Sequence, residues 1–269
     1  TERTPLHGFG SVPDSCVIAY WECDVNVLAI SFQERLDEVE SYLAFLSSME
    51  VCAQQGPPRL QGAVHPISVQ QQRILYSSVY LQLYNLVEAT MSQCIESVAA
   101  AARNNGQWKP SDLVAELRQE WVRATARTHE SNLTPAHRLE CAIVMCDHLV
   151  ASLPIVEFDI DKGGGGNWDD SAIEAISRRL GFQLDVSKHV YSAVKRPFRN
   201  ELGPLALVKD LRNQLAHGSI SFAQCAEDVT VARLVDLKDK TVAYLSEVVS
   251  CFSNYVRAYE YLIPERRPV

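Results

Sequence analysis

Pro204-Leu205-Ala206-Leu207-Val208-Lys209-Asp210-Leu211-Arg212-Asn213-Gln214-Leu215-Ala216-His217-Gly218 is the stretch on which the reading of this chain turns. Leu207, Leu211 and Leu215 recur every four residues, Gly203-Pro204 supplies a start, and Gly218 stands where a helix closes on a left-handed residue. The spacing therefore predicts a helix with one apolar side, one arginine, and one histidine in its last turn. That turn is where the macrodipole favours a cation, and imidazole is the side chain that exchanges protons near neutrality.

Working outward, the same periodicity recurs along most of the chain. A helix is expected from Ser31, with Leu36, Val39, Leu43 and Leu46 on one face, ending before Gln54-Gln55-Gly56-Pro57-Pro58. The longest runs from about Val69 to Arg103: Tyr76, Tyr80, Leu83, Val87, Met91, Cys94 and Val98 mark its core face, and Asn104-Asn105-Gly106 ends it. Pro110-Ser111-Asp112 opens a polar helix to about Arg127. Thr134-Pro135 opens another, with Leu139, Ile143, Cys146 and Val150 facing inward. Ile155 to Ile160 alternates as a short strand does, Gly163 to Gly166 form a flexible turn, and Asn167 is the expected N-cap of a helix ending at Gly181. A final helix starts near Val231 and uses Leu234, Leu237, Leu245, Val248, Phe252, Tyr255 and Tyr259. Before all of these, Val25, Val27 and Ala29 alternate in what is expected to be an extended arm over residues 1–30. The expected fold is an all-α helical bundle with minor extended pieces, an inserted helical segment at about 104–165 and a C-terminal tail at 264–269.

Net charge is −8, so the molecule as a whole repels nucleic acid and any RNA contact must come from a local basic patch. Lys188, Lys195, Arg196 and Arg199, just upstream of Arg212, are the candidates. Eight cysteines form no Cys-x2-Cys pair and several fall on apolar helical faces, the pattern of reduced thiols in a cytoplasmic protein. Cys141, Cys146 and His148 are scattered around a helix axis by their offsets, so no metal site is expected there. No apolar run approaches the roughly 20 residues of a membrane span, and no signal pattern is visible.

An arginine followed by a histidine after four to six residues is expected about 1.4 times by chance among 18 arginines and 7 histidines, and it occurs three times. Arg59 with His65 follows a proline pair in a loop, and Arg123 with His129 lies on a polar helical stretch. Arg212 with His217 alone has Asn213, the leucine stripe and the closing Ala-His-Gly. These residues suit phosphodiester cleavage in RNA, where the substrate's own 2′-hydroxyl is the nucleophile: His217 moves protons and Arg212 offers a planar fork of donors to the phosphorane. Neither cofactor nor metal is then required. Five residues span about 500° of helix, leaving Arg212 and His217 roughly 140° out of phase, whereas Asn213 and His217 share a face and Asn213 is placed to orient the imidazole. An arginine and a histidine on different faces fit a twofold dimer, each arginine approaching the other subunit's histidine.

The segment from Val208 to Gly218 resembles the Arg-x4–6-His signature of HEPN domains, small helical ribonucleases. Leu83-Tyr84-Asn85-Leu86-Val87-Glu88-Ala89-Thr90, Gly166-Asn167-Trp168-Asp169-Asp170 and Ser221-Phe222 are similar to the MAE_28990/MAE_18760-like branch, so that residues 31–263 read as a single HEPN-like domain. The resemblance implies a helical homodimer with a composite site, metal-independent RNA cleavage leaving cyclic 2′,3′-phosphate and 5′-hydroxyl ends, and an antitoxin or other defence-system protein as partner. It equally covers members that have lost catalysis and bind RNA or a protein. Asn85 and Glu88 are supporting candidates on the long helix, Glu88 as a brace for Arg212. Ser219 stands where some relatives carry a tyrosine that nucleotidylating antitoxins modify, a departure that speaks against that mode of control.

Overall fold

A computed structural model describes residues 14–59, 66–128, 130–162 and 167–268; for 14–27 and 105 it describes the backbone alone. The turn expected at Gly163–Gly166, and the histidines at 65 and 129, lie outside these residues. Nine α-helices occur among the described residues, with no strand and only isolated β-bridges.

Three long helices carry the bundle: α1 (Asp14–Gln54), α2 (Val69–Arg103) and α9 (Val231–Arg257). α1 and α2 run antiparallel, since Gln93 donates to Ser31 and Tyr42 donates to the Leu75 carbonyl. α9 also opposes α1, with Lys238 beside Glu40 and the Val231 amide reaching Glu50. α2 starts and stops where its sequence says it should. Ser68 and Gln71 form a reciprocal capping box at one end, and Asn104 takes a positive φ at the other. Its buried residues include every core position expected from the periodicity.

The core has two zones stacked along α2. Residues up to Tyr84 pack with Val39 to Met49 of α1, with Leu207, Leu211 and Leu215 of α7 (Pro204–Ala216) and with the start of α9; Cys225 of α8 (Phe222–Cys225) closes that zone. From Leu86 onward α2 meets Leu28, Phe32 and Leu36 of α1 and the second half of α9. Here α3 (Ala115–Ala126), α5 (Asp170–Arg179) and α6 (Lys188–Lys195) complete the core. Glu120 of α3, nearly fully buried, is bound by Arg179 of α5 at 2.6 and 3.1 Å and by Arg123, the pairing that a buried carboxylate requires.

The structure corrects five local expectations. α1 begins at Asp14, so Val25 to Ala29 is helical and not an extended arm. The buried row Leu28, Phe32, Leu36, Val39 continues the helical period and outweighs a three-residue alternation. Ile155 to Ile160 is no strand, although Ile155, Phe158 and Ile160 are buried; an extended segment without a neighbour has no ladder to join. Pro110–Asp112 is a separate 3-10 turn ahead of α3, and the N-cap of α5 is Asp169 rather than Asn167, its carboxylate accepting from the Ala172 amide at 2.8 Å. The largest correction concerns α4 (Pro135–Val150). It starts at its Thr134 cap as expected, yet none of its residues is buried: Leu139 is 63% exposed, Ile143 51% and Val150 87%. Of the segment 104–165, Trp108, Leu113, Leu117, Trp121 and the 155–160 stretch are built into the core, while α4 rides outside it.

Candidate active site on α7

α7 is positioned by both of its ends. Gly203, its N-cap, has an ordinary backbone conformation, but a Cβ there would stand 2.3 Å from the Val194 carbonyl oxygen, so the close approach of α6 demands glycine. At the other end Gly218 takes φ +70°, its amide donates to the Leu215 carbonyl, and the Ser219 amide donates to Gln214. This is a Schellman closure in which His217 is the C-cap, as the sequence predicts. Leu207, Val208, Leu211 and Leu215 are buried, and the leucine stripe fixes which side of α7 faces out.

On the outward side three segments distant in sequence converge, near the level of α2 where the two core zones meet. The Arg212 guanidinium lies 4.2 Å from the centre of the Tyr84 ring, donates to the Asn213 side-chain oxygen at 2.8 Å and reaches Glu88 at 3.5 Å. The Asn213 amide donates in turn to Asn167 at 3.0 Å. Tyr84 is anchored by its hydroxyl, which accepts from the Trp168 amide at 3.3 Å, and Lys209 pairs with Asp169. Burial raises the Asp169 carboxyl, but Lys209 and the Ala172 and Ser171 amides outweigh it and hold the group below the usual carboxylate range. Burial pushes the Tyr84 phenol up, against the pull of the Trp168 amide and Arg212, so it stays a neutral platform for the guanidinium.

Glu88 stands 3.5 Å from the Arg212 guanidinium, with its side chain partly exposed. Asn213 serves Arg212 and not the imidazole: its side-chain oxygen and nitrogen are taken by Arg212 and Asn167, and only its backbone carbonyl meets residue 217, at the amide. The His217 ring is exposed, and no side chain among the described residues pairs with it. Asn85 opens on a different recess, of about 750 Å³ between α1 and α2, whose charged lining is Glu34, Asp37, Glu38 and Arg35. The residues missed as site members are Tyr84, Asn167, Asp169 and Lys209. All lie inside the segments that carry the family resemblance, but a lone sequence does not reveal that these segments meet.

The basic candidates separate. Lys195 is bound by Asp170 at 2.5 Å and Glu174 at 2.8 Å, and these carboxylates hold its ammonium above the usual range despite the opposing effect of burial. Arg199 donates to the Cys225 carbonyl. Lys188 and Arg196 are exposed. Arg196 joins Arg233 and Lys240, which flank the Phe198 ring at 5.7 and 5.4 Å, around a cavity of about 320 Å³ whose one carboxylate is Asp236. Arg233 and Lys240 lie far along the chain in α9, so the clustering of charge is a tertiary feature.

A sequence model of the family described as HEPN_MAE_28990/-like HEPN matches residues 25–261. No curated protein and no solved structure matches the chain.

Proposed function

The chain belongs to the HEPN_MAE_28990/-like HEPN family, and from that membership together with the α7 site we propose that it is an endoribonuclease. The observation that carries the reading is a division of labour on one helix. Tyr84, Glu88, Asn213 and Asn167 are committed to fixing a single arginine, while His217 at the helix end stays exposed with no side-chain partner among the described residues. A guanidinium stacked on a ring and braced at one edge presents the rest of its donors in a fixed plane, which suits the non-bridging oxygens of a phosphate in transit. The imidazole accepts the 2′-hydroxyl proton as that oxygen bonds to phosphorus. An imidazolium returns a proton to the departing 5′-oxygen, leaving cyclic 2′,3′-phosphate and 5′-hydroxyl ends. A role as a toxin or defence effector follows from the same reading, and growth arrest on expression that His217→Ala relieves is its cellular counterpart.

Wild-type protein is expected to cleave RNA in excess EDTA; equal cleavage by His217→Ala overturns the assignment. Sharing of the site across a homodimer is tested by mixing. Arg212→Ala and His217→Ala dimers are each expected to be dead, and a mixed dimer to regain partial activity; an active monomer in sedimentation is incompatible with a shared site. Within the basic region, removing charge at Arg196 is expected to lower the salt slope of RNA binding by about one phosphate contact, and Lys195, already paired, by much less.

A second reading is a binding module without catalysis. Glu88 already offsets part of the Arg212 charge, and the net charge of −8 opposes RNA overall. It expects no cleavage by any variant and RNA binding unaffected by His217→Ala.

A further inference from the structure

The exposed face of α4 has a pattern and a charge. Leu139, Ile143, Cys146 and Val150 follow one another at steps of four, three and four residues, the seam of a helix that packs along another helix. All four are solvent-facing, Val144 and Leu149 are also exposed, and α4 contributes no buried residue to the fold. A recess of about 600 Å³ opens on another side of α4, at Val144 and His148, between α3 and residues 153–159. Trp121 and Phe158 line it with Glu157 and Asp159, and Arg103 pairs with Asp159 at 3.6 Å. Soluble chains rarely leave contiguous apolar surface of this kind uncovered.

Charge decides what covers it. Glu140 and Asp147 flank the seam on one side, and both are exposed. A second copy packed antiparallel sets these carboxylates against the same carboxylates. Packed parallel, it offers them Pro135 and Ala142. Neither arrangement brings a cation. Arg138, on the other flank, donates to the Leu133 carbonyl. We propose that the exposed seam of α4 docks an amphipathic helix of a partner protein, its apolar stripe lying along Leu139, Ile143, Cys146 and Val150 and its lysines or arginines meeting Glu140 and Asp147. This is recognition of a helix in a groove, and it does not depend on the chemistry assigned to α7.

The test uses the full chain and a fluorescent peptide of about 18 residues with leucine at the seam positions and lysine elsewhere. A scrambled peptide of equal composition and a leucine–glutamate version serve as controls. Wild-type protein is expected to bind the leucine–lysine helix at least about tenfold more tightly than either control. Leu139→Gln/Ile143→Gln/Val150→Gln and Glu140→Gln/Asp147→Asn are each expected to lose about tenfold in affinity. These side chains are exposed, so circular dichroism should be unchanged; should the triple variant unfold, the charge pair still decides. Equal binding by the variants, or equal binding of the scrambled peptide, overturns the proposal. So does a wild-type dimer in sedimentation that the triple variant abolishes, because the face then belongs to a second copy.

Discussion

α7 and α4 carry the same sequence signal and meet opposite fates. Each is a capped helix of a few turns with apolar residues at steps of three and four. In α7 the stripe is buried, Leu211 keeping 3% of its surface, and the polar side is taken up by α2 and the segment before α5. In α4 the stripe faces water. Periodicity thus reports that a face seeks cover, and it is silent on whether the cover lies in the same chain. What separates the two is their neighbours: α7 is pinned at Gly203 against α6 and lies across two of the long helices, whereas α4 leans on the edge of the bundle through α3.

The sharpest way to break this contrast is to truncate matched positions. Leu211→Ala is expected to cost about 2–5 kcal/mol in denaturant unfolding, the price of a cavity in a packed core. Ile143→Ala should stay within about 0.5 kcal/mol. Similar losses at both sites would mean that α4 is buried in the free protein. His217→Ala separates function from packing on α7 itself: a fall in RNA cleavage of at least ~10²-fold, as for a lost acid–base group, with unfolding unchanged within about 0.5 kcal/mol. A loss of stability comparable to that of Leu211→Ala would make His217 a structural cap.

Gly203→Ala probes the pin. The added Cβ meets a backbone oxygen and not a flexible side chain, so the helices must shift, with an expected cost of about 1–3 kcal/mol and disturbed placement of Arg212. A neutral result would show that α6 yields freely. The smallest effect is expected at Asp169, whose carboxyl is depressed in the folded state. Its stabilisation is then present above the unfolded value near pH 4 and lost as pH falls through the lower folded value. The difference in melting temperature between wild type and Asp169→Asn should be constant near neutrality and shrink below about pH 4; a gap that widens on acidification would reverse the sign.

The helical class, the span of α2, and the stripe and closing glycine of α7 were legible from the residues. Each rests on local chemistry: a period, a cap or a left-handed glycine. The partners of Asn213 were not, because Asn167 is 46 residues away and only the docking of the segment before α5 brings it there. Nor was the fate of the basic run, since a lysine in sequence shows its charge and not the two carboxylates that neutralise it.

By itself, then, the sequence determined which faces are apolar, where helices begin and end, and which arginine and histidine share a helix, because these depend on contacts within a turn or two of the chain. The tertiary structure alone decided that Tyr84 rather than another ring carries Arg212, that Arg196 gathers with Arg233 and Lys240, and that the apolar row of α4 is left outside. Those outcomes depend on how long helices pack side by side, and side-chain neighbours across such packing are set by the geometry of the whole bundle, not by the spacing within any one helix.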